Sequence, residues 1–232
     1  MISFNNVSCT FGDDAGIENA TFDIEPGEFV CIIGPTGAGK TTFLKLIYMD
    51  IFPEEGTVRV DKYSSDKIKK RSIPMLRRRV GMVFQDFELL KDRSVFDNIA
   101  IPLHVQGVGM KMVKDEVENV LERLGILNRR DHLPSQLSGG EQQIVSLARA
   151  LVKNPLVILA DEPTGNLDPA ASLKVIKLLE EINRDGTAVL MATHNFSLVK
   201  DRDYESVIPI NFSLVKDRDY RFMQIVDGAV QT

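Results

Sequence analysis

Cysteine is scarce. The 232-residue chain holds two, Cys9 and Cys31, and neither lies in a paired metal-ligand spacing. Structural thiols in a reducing compartment are the expectation. No apolar run approaches the ~20 residues that a membrane-crossing helix needs. The opening residues, Met1 to Asn6, lack the basic segment and apolar stretch of a secretory signal. Positive charge is not in excess either: the formal net charge is −5, which disfavours a large nucleic-acid footprint. A soluble, cytoplasmic protein is expected, and work at a membrane through a partner stays open. Apolar residues, by contrast, make up 44% of the chain, enough to bury a substantial core in one large domain or two small ones.

The most informative stretch is 28–42. Phe29 to Ile33 is a short apolar run that reads as a buried strand. It breaks at Gly34 into Pro35, Thr36, Gly37, Ala38 and Gly39, and Lys40, Thr41 and Thr42 begin a helical pattern. Gly34, four residues, then Gly39-Lys40-Thr41 is the phosphate-binding loop spacing. The glycines let backbone N–H groups face an anion, and the helix that follows adds the positive end of its dipole. Lys40 is placed to reach the β- and γ-phosphates and the Thr41 hydroxyl to bind Mg²⁺. A strand before and a helix after make a chance match in a Gly-rich turn a poor explanation.

The rest of the chain alternates. Ile2 to Val7 and Ala20 to Ile24 read as strands separated by a turn at 12–16, and Thr57 to Val60 as another. Residues 67–79 carry seven positive charges, read as a solvated helix face with Ile73, Met75 and Leu76 packed inward. Val80 to Phe84 is a strand ending at Gln85. Val113, Val117, Val120, Leu121 and Leu124 repeat with a helical period. Residues 88–150 show little strand signal and predict a helical insertion. Leu156 to Ala160 and Ala188 to Ala192 read as buried parallel strands, separated by a helix marked by Leu173, Ile176, Leu179 and Ile182. Alternating strands and helices imply a parallel sheet flanked by helices. After His194 the decamer Asn-Phe-Ser-Leu-Val-Lys-Asp-Arg-Asp-Tyr occurs at 195–204 and again at 211–220. Two copies do not make a solenoid. One copy with residues 205–210 reads as surplus, a surface excursion inserted at little closure cost, the other as a helix leading into a strand at Phe222 to Val226.

Two further segments bear on chemistry. Asp161-Glu162 closes a buried strand, where an Asp can hold Mg²⁺ and a Glu can polarise an attacking water. Leu137-Ser138-Gly139-Gly140-Glu141 opens a helix and offers a second anion-ready N-terminus, although on capping grounds alone an ordinary Ser cap is the better account.

Taken together, the phosphate loop, Gln85, Leu137–Glu141, Leu156–Glu162, Gly165-Asn166-Leu167-Asp168 and His194 resemble, in order and spacing, the ATP-binding subunits of ABC transporters over essentially the whole chain. The resemblance implies an α/β fold: a phosphate-loop NTPase core of the ABC ATPase type (1–87 and 151–232), an antiparallel β subdomain, and a helical subdomain at 88–150. It implies ATP and Mg²⁺ as cofactors, with Thr41, Gln85 and Asp161 at the metal. It implies Phe11 against the adenine, Glu162 as catalytic base, Gln85 near the attacking water and His194 at the γ-phosphate. Ser138, Gly139, Gly140 and Glu141 would complete the nucleotide site of a second copy, and Asp168 would communicate across that homodimer interface. Residues 76–103 resemble the cell-division branch of the family, which implies an integral membrane permease-type subunit and no nucleic acid. Phe87, Leu89 and Leu90 are candidates to receive that subunit, with core packing the other explanation. Residues 160–168 are shared with lipoprotein-release and macrolide-efflux branches, which stand as the alternative. Ile144 departs from the family's usual Arg, with a modest loss expected in the helix that Ser138 opens.

Overall fold

The computed structural model describes residues 1–11, 15–34, 37–195, 216–217, 220–226 and 229–231. Strands β1 (Ile2–Phe11) and β2 (Ala15–Ile24) lead into β3 (Phe29–Ile33) and helix α1 (Lys40–Ile47). Then come β4 (Glu55–Val60), β5 (Tyr63–Ser64), α2 (Ile73–Arg79) and β6 (Val80–Val83). Helices α3 (Val95–Val105), α4 (Met110–Arg123) and α5 (Gly139–Leu151) follow with no strand among them. The chain returns to the sheet with β7 (Val157–Asp161), α6 (Pro169–Arg184) and β8 (Ala188–Thr193). Short β9 (Lys216–Asp217), β10 (Tyr220–Val226) and β11 (Ala229–Gln231) complete it.

The strand order is β5-β4-β1-β2-β11-β10-β3-β8-β7-β6, with β9 beside β10. From β10 to β6 every neighbouring pair is parallel, whereas β1, β2, β4 and β5 pair antiparallel. β3, β7 and β8 are apolar nearly to their ends because both of their faces are covered. Successive side chains point to opposite faces. Phe29 and Cys31 of β3 therefore enter a core shared with α3, α4, α5 and α6, while Val30 and Ile32 enter one shared with α1 and the antiparallel strands. That second core holds a stack of Phe4, Phe22 and Phe43, with Phe4 4.6 Å from each of the other two rings. Both cysteines are buried and free, and burial pushes the Cys31 thiol up.

Several sequence expectations need adjusting. The first hairpin is longer than expected, because Thr10 pairs with Gly16 and Phe11 with Ala15 and the ladder runs on. Met75 is 48% exposed while Leu76 is buried. On a seven-residue helix, 73 and 76 share a face and 75 is turned ~100° from 76. The helix marked by Leu173, Ile176, Leu179 and Ile182 is α6, with Leu173, 43% exposed, at the margin of the buried stripe of Val175, Ile176, Leu179 and Ile182. The basic run is only partly solvated: Lys67, Lys69, Lys70 and Arg71 are exposed, but Arg77 donates to the Tyr48 and Met49 carbonyls and Arg79 pairs with Asp61. Ile144 is buried in the helical core and leaves no charge to satisfy there. Most of the duplicated decamers lie outside the described residues. Where the second copy is described, it is strand rather than helix, since Lys216–Asp217 pair antiparallel with β10.

Candidate functional site

Parallel strands place their carboxyl ends along one edge of the sheet, where α/β proteins bind ligands. Ile33 of β3 stands beside Thr193 of β8, Ala192 of β8 beside Asp161 of β7, and Ala160 of β7 beside Val83 of β6. The residues that follow those strands are therefore brought into one row: Gly34, His194, Glu162 and Gln85. None of these is near another in sequence.

Gly37 and Gly39 take left-handed backbone (φ 89° and 91°), Gly39 as the N-cap of α1. L side chains resist that conformation, which is why the loop needs glycine there. No acidic side chain sits in the first turn of α1, so no carboxylate of its own offsets the positive end of the helix dipole. Lys40 folds back: its Nζ donates to the Gly34 carbonyl (2.9 Å) and lies 3.3 Å from Glu162 Oε1. The other Glu162 oxygen accepts from the backbone N–H of His194 (3.2 Å) and stands 2.9 Å from His194 Nδ1. Glu162 is itself buried and left-handed (φ 44°), and its N–H donates to Ala192 O. One carboxylate thus ties the phosphate loop to the end of β8.

Asp161 is 9% exposed, and its Oδ1 has no hydrogen-bond partner. Burial raises its pKa, the neighbouring Glu162 adds to that, and the Thr41 hydroxyl and Lys40 pull the other way. An orphaned buried carboxylate oxygen beside a threonine hydroxyl suits a divalent cation. Among the described residues no cluster of three acidic, His or Cys side chains could hold one alone. That donor set fits Mg²⁺, which keeps most of its waters and binds few protein groups. Phe11 ends β1, but its side chain, like Pro35 and Thr36, lies outside the described residues.

A second group forms at the start of α5. Ser138 caps the helix, its hydroxyl accepting from Glu141 N and the Glu141 carboxylate from Ser138 N. The other Glu141 oxygen pairs with Arg129 at 2.8 Å. Backbone donation and Arg129 hold the Glu141 carboxyl below its usual range. A Cβ on Gly140 would fall 2.8 Å from the Ala171 Cβ, so this glycine lets α5 and α6 meet. Asp168 caps α6, accepting from Ala170 N and Ala171 N at 2.9 Å each. Gly139, Gly140 and Asp168 are therefore neighbours through the first turn of α6. Gln85 is exposed and stands between the two groups: its backbone carbonyl accepts from Asn166, and its amide nitrogen lies where a Gly165 side chain would reach.

Residues 17–165 match the family model described as ABC transporter. The chain belongs to the ABC transporter family. Relatives of this ABC protein include the cell division ATP-binding protein FtsE of Escherichia coli K12, 45% identical over 205 residues (88% of this chain, 92% of the relative). FtsE of Bacillus subtilis 168 is 50% identical over 176 residues, covering 76% and 77%. FtsE of Mycobacterium tuberculosis H37Rv is 46% identical over 201 residues, covering 86% and 87%. Among solved structures, the dimeric post-hydrolysis state of the ATP-binding cassette MJ0796 bound to ADP and Pi superposes with a TM-score of 0.80 at 30% identity, covering 100% of this chain and 97% of that one. The ABC ATPase fold is the one expected from the sequence.

Two residues of this region carried no role in the sequence reading. Asn98 is fully buried and holds residues 90–94: its Oδ1 accepts from Leu90 N (2.8 Å), and its amide donates to the carbonyls of Leu90, Arg93 and Ser94. Arg149 donates to the carbonyls of Phe87 and Glu88. The available signal was a single Asn or Arg within a helix, which does not say what it holds.

Proposed function

We propose that this protein is an FtsE-like ATPase: a homodimeric, ATP-binding and hydrolysing subunit that docks on the cytoplasmic face of the membrane through an integral FtsX-like partner. The observation that carries the reading is the row of Lys40, Glu162 and His194 at the carboxyl ends of β3, β7 and β8. The relatives bear the cell-division name, which favours this role over lipoprotein release or macrolide efflux. No helix among the described residues is long and apolar enough to cross a membrane, consistent with attachment through a partner.

In this reading the loop 34–42 cradles the triphosphate and Lys40 moves from Glu162 to the phosphate oxygens. Thr41, Asp161 and Gln85 would hold Mg²⁺, which would supply positive charge to offset that of the phosphates. Glu162, released by Lys40, accepts the proton of a water whose oxygen attacks the γ-phosphorus as the bond from that phosphorus to the bridging oxygen breaks, leaving phosphate and ADP. His194 turns from Glu162 to the γ-phosphate, and Phe11 packs on the adenine. Ser138 is exposed at the positive end of α5. It and Gly139, Gly140 and Glu141 complete the site of a twin, with Asp168 beside them. Residues 1–87 and 151–232 form the nucleotide-binding core and 88–150 the helical subdomain. Leu90, 46% exposed, is the best placed of Phe87, Leu89 and Leu90 to meet a partner.

The test is Glu162→Gln with MgATP. It keeps the shape of the side chain and removes the base, so a long-lived dimer should appear by light scattering while phosphate release stops. A monomer at every concentration, or unaltered turnover, would overturn the mechanism.

A further inference from the structure

Phe87 and Glu88 are consecutive non-glycine residues in left-handed backbone (φ 61° and 51°). Such residues normally occur singly, because Cβ crowds the carbonyl oxygen. A pair of them persists only where surrounding structure fixes it. Three side chains hold this segment. Asn166 donates to Gln85 O and to the Asp86 carboxylate (3.1 Å). Asn98 holds Leu90 on the far side. Between them Arg149 reaches across from the last turn of α5, Nη2 to Phe87 O at 2.9 Å and Nη1 to Glu88 O. A planar guanidinium meets two carbonyls at once, which an ammonium cannot do in the same geometry. The Phe87 ring approaches the opposite end of the same helix, 3.8 Å from where a Gly139 side chain would begin. The turn that follows Gln85 is thus seated along α5 from its N-terminus to its last turns.

We propose that Arg149 is a positioning residue: it fixes the left-handed Phe87–Glu88 turn on α5, so that a displacement at Ser138–Gly140 moves Gln85 and the exposed Leu90 with it. The inference rests on the ATPase reading above, which gives the two ends of α5 their meaning. Gln85 acts in the reaction, and Arg149 acts through the backbone that carries it.

The test is steady-state ATP hydrolysis by the full-length protein. Arg149→Lys keeps the charge but loses the fork. Its kcat should fall about tenfold, the equivalent of ~1.4 kcal/mol, with KM for ATP within about twofold of the parent and the melting temperature close to it. Glycine accepts positive φ without the clamp. Phe87→Gly with Glu88→Gly in the Arg149→Lys background should therefore recover most of the lost kcat. Glu88→Val, with Arg149 intact, tests the same turn independently: a β-branched residue resists φ 51°, so kcat should fall and KM should not. Unchanged kcat in Arg149→Lys or Glu88→Val overturns the inference. So does a parallel loss of KM and melting temperature, which marks a merely structural arginine, or a failure of the glycines to rescue. A parent protein without ATPase activity would instead overturn the ATPase reading, and this inference with it.

Discussion

Asp161→Asn should make the nucleotide-free protein more stable and the nucleotide-loaded protein less so. The wild-type carboxylate is 9% exposed, its Oδ1 has no partner, and Glu162 stands next to it. Burying an unsatisfied polar group costs about 1–3 kcal/mol, and more when it is charged. Asn has the same shape but no charge, and it leaves one polar atom unpaired, so about 1 kcal/mol of that cost should be relieved. For a chain of this size this corresponds to a rise of ~2–4 °C in melting temperature. The pH dependence follows from the raised pKa. Between the unfolded carboxyl pKa and the higher folded one, the native state binds more protons than the unfolded state. Wild-type stability therefore falls relative to the variant as pH rises through that window, and the gap is constant above it. Below the ordinary carboxyl pKa, where the aspartate is neutral in both the folded and the unfolded chain, the difference between the two proteins should no longer change with pH. With MgATP the order reverses: a ligand at 100 times its Kd adds about 2.7 kcal/mol to the wild type, and the variant, lacking the carboxylate for Mg²⁺, should gain much less. Thermal unfolding in chelator and in MgATP, across pH 4–8, reads all of this. A variant less stable than wild type in chelator, or one stabilised equally by MgATP, refutes the assignment of Asp161 as a buried anion kept for a cation.

Other outcomes follow from the same geometry. Asn98→Ala removes an amide that holds the 90–94 backbone from a fully buried position, and should cost about 2–3 kcal/mol by denaturant unfolding, with little change expected from an exposed control such as Lys91→Ala. Gly140→Ala places a methyl 2.8 Å from Ala171 and should destabilise by about 1 kcal/mol, overpacking outweighing the helix-propensity gain. Gly139→Ala meets nothing nearer than 3.5 Å and should leave the melting temperature unchanged, its cost appearing only in ATP-dependent dimerisation.

Much of the site was legible in the order of residues, and the reason is physical. A phosphate loop needs glycine at Gly37 and Gly39 because of positive φ, and it needs a strand and helix to flank it; both requirements leave local marks. The continuous apolar runs of β3, β7 and β8 report burial on both faces, so the parallel sheet could be read from them. The capping box at Ser138 is equally local. The expected inward packing of Met75 fails because an apolar residue beside a buried stripe looks the same in sequence as one within it.

Tertiary structure alone decided which of these local pieces meet. Glu162 touches Lys40 and His194, 122 and 32 positions away, because β8 lies between β3 and β7 in the sheet. Strand order is not written in any one segment, since every buried parallel strand carries much the same pattern. The Arg149 clamp is another such case. The backbone of Phe87 and Glu88 is left-handed against the preference of both residues, and a helix some sixty positions away holds it there. Local chemistry is printed in the chain wherever one residue type alone can satisfy it. Where a carbonyl could be met by any donor that packing brings within reach, only the fold makes the choice.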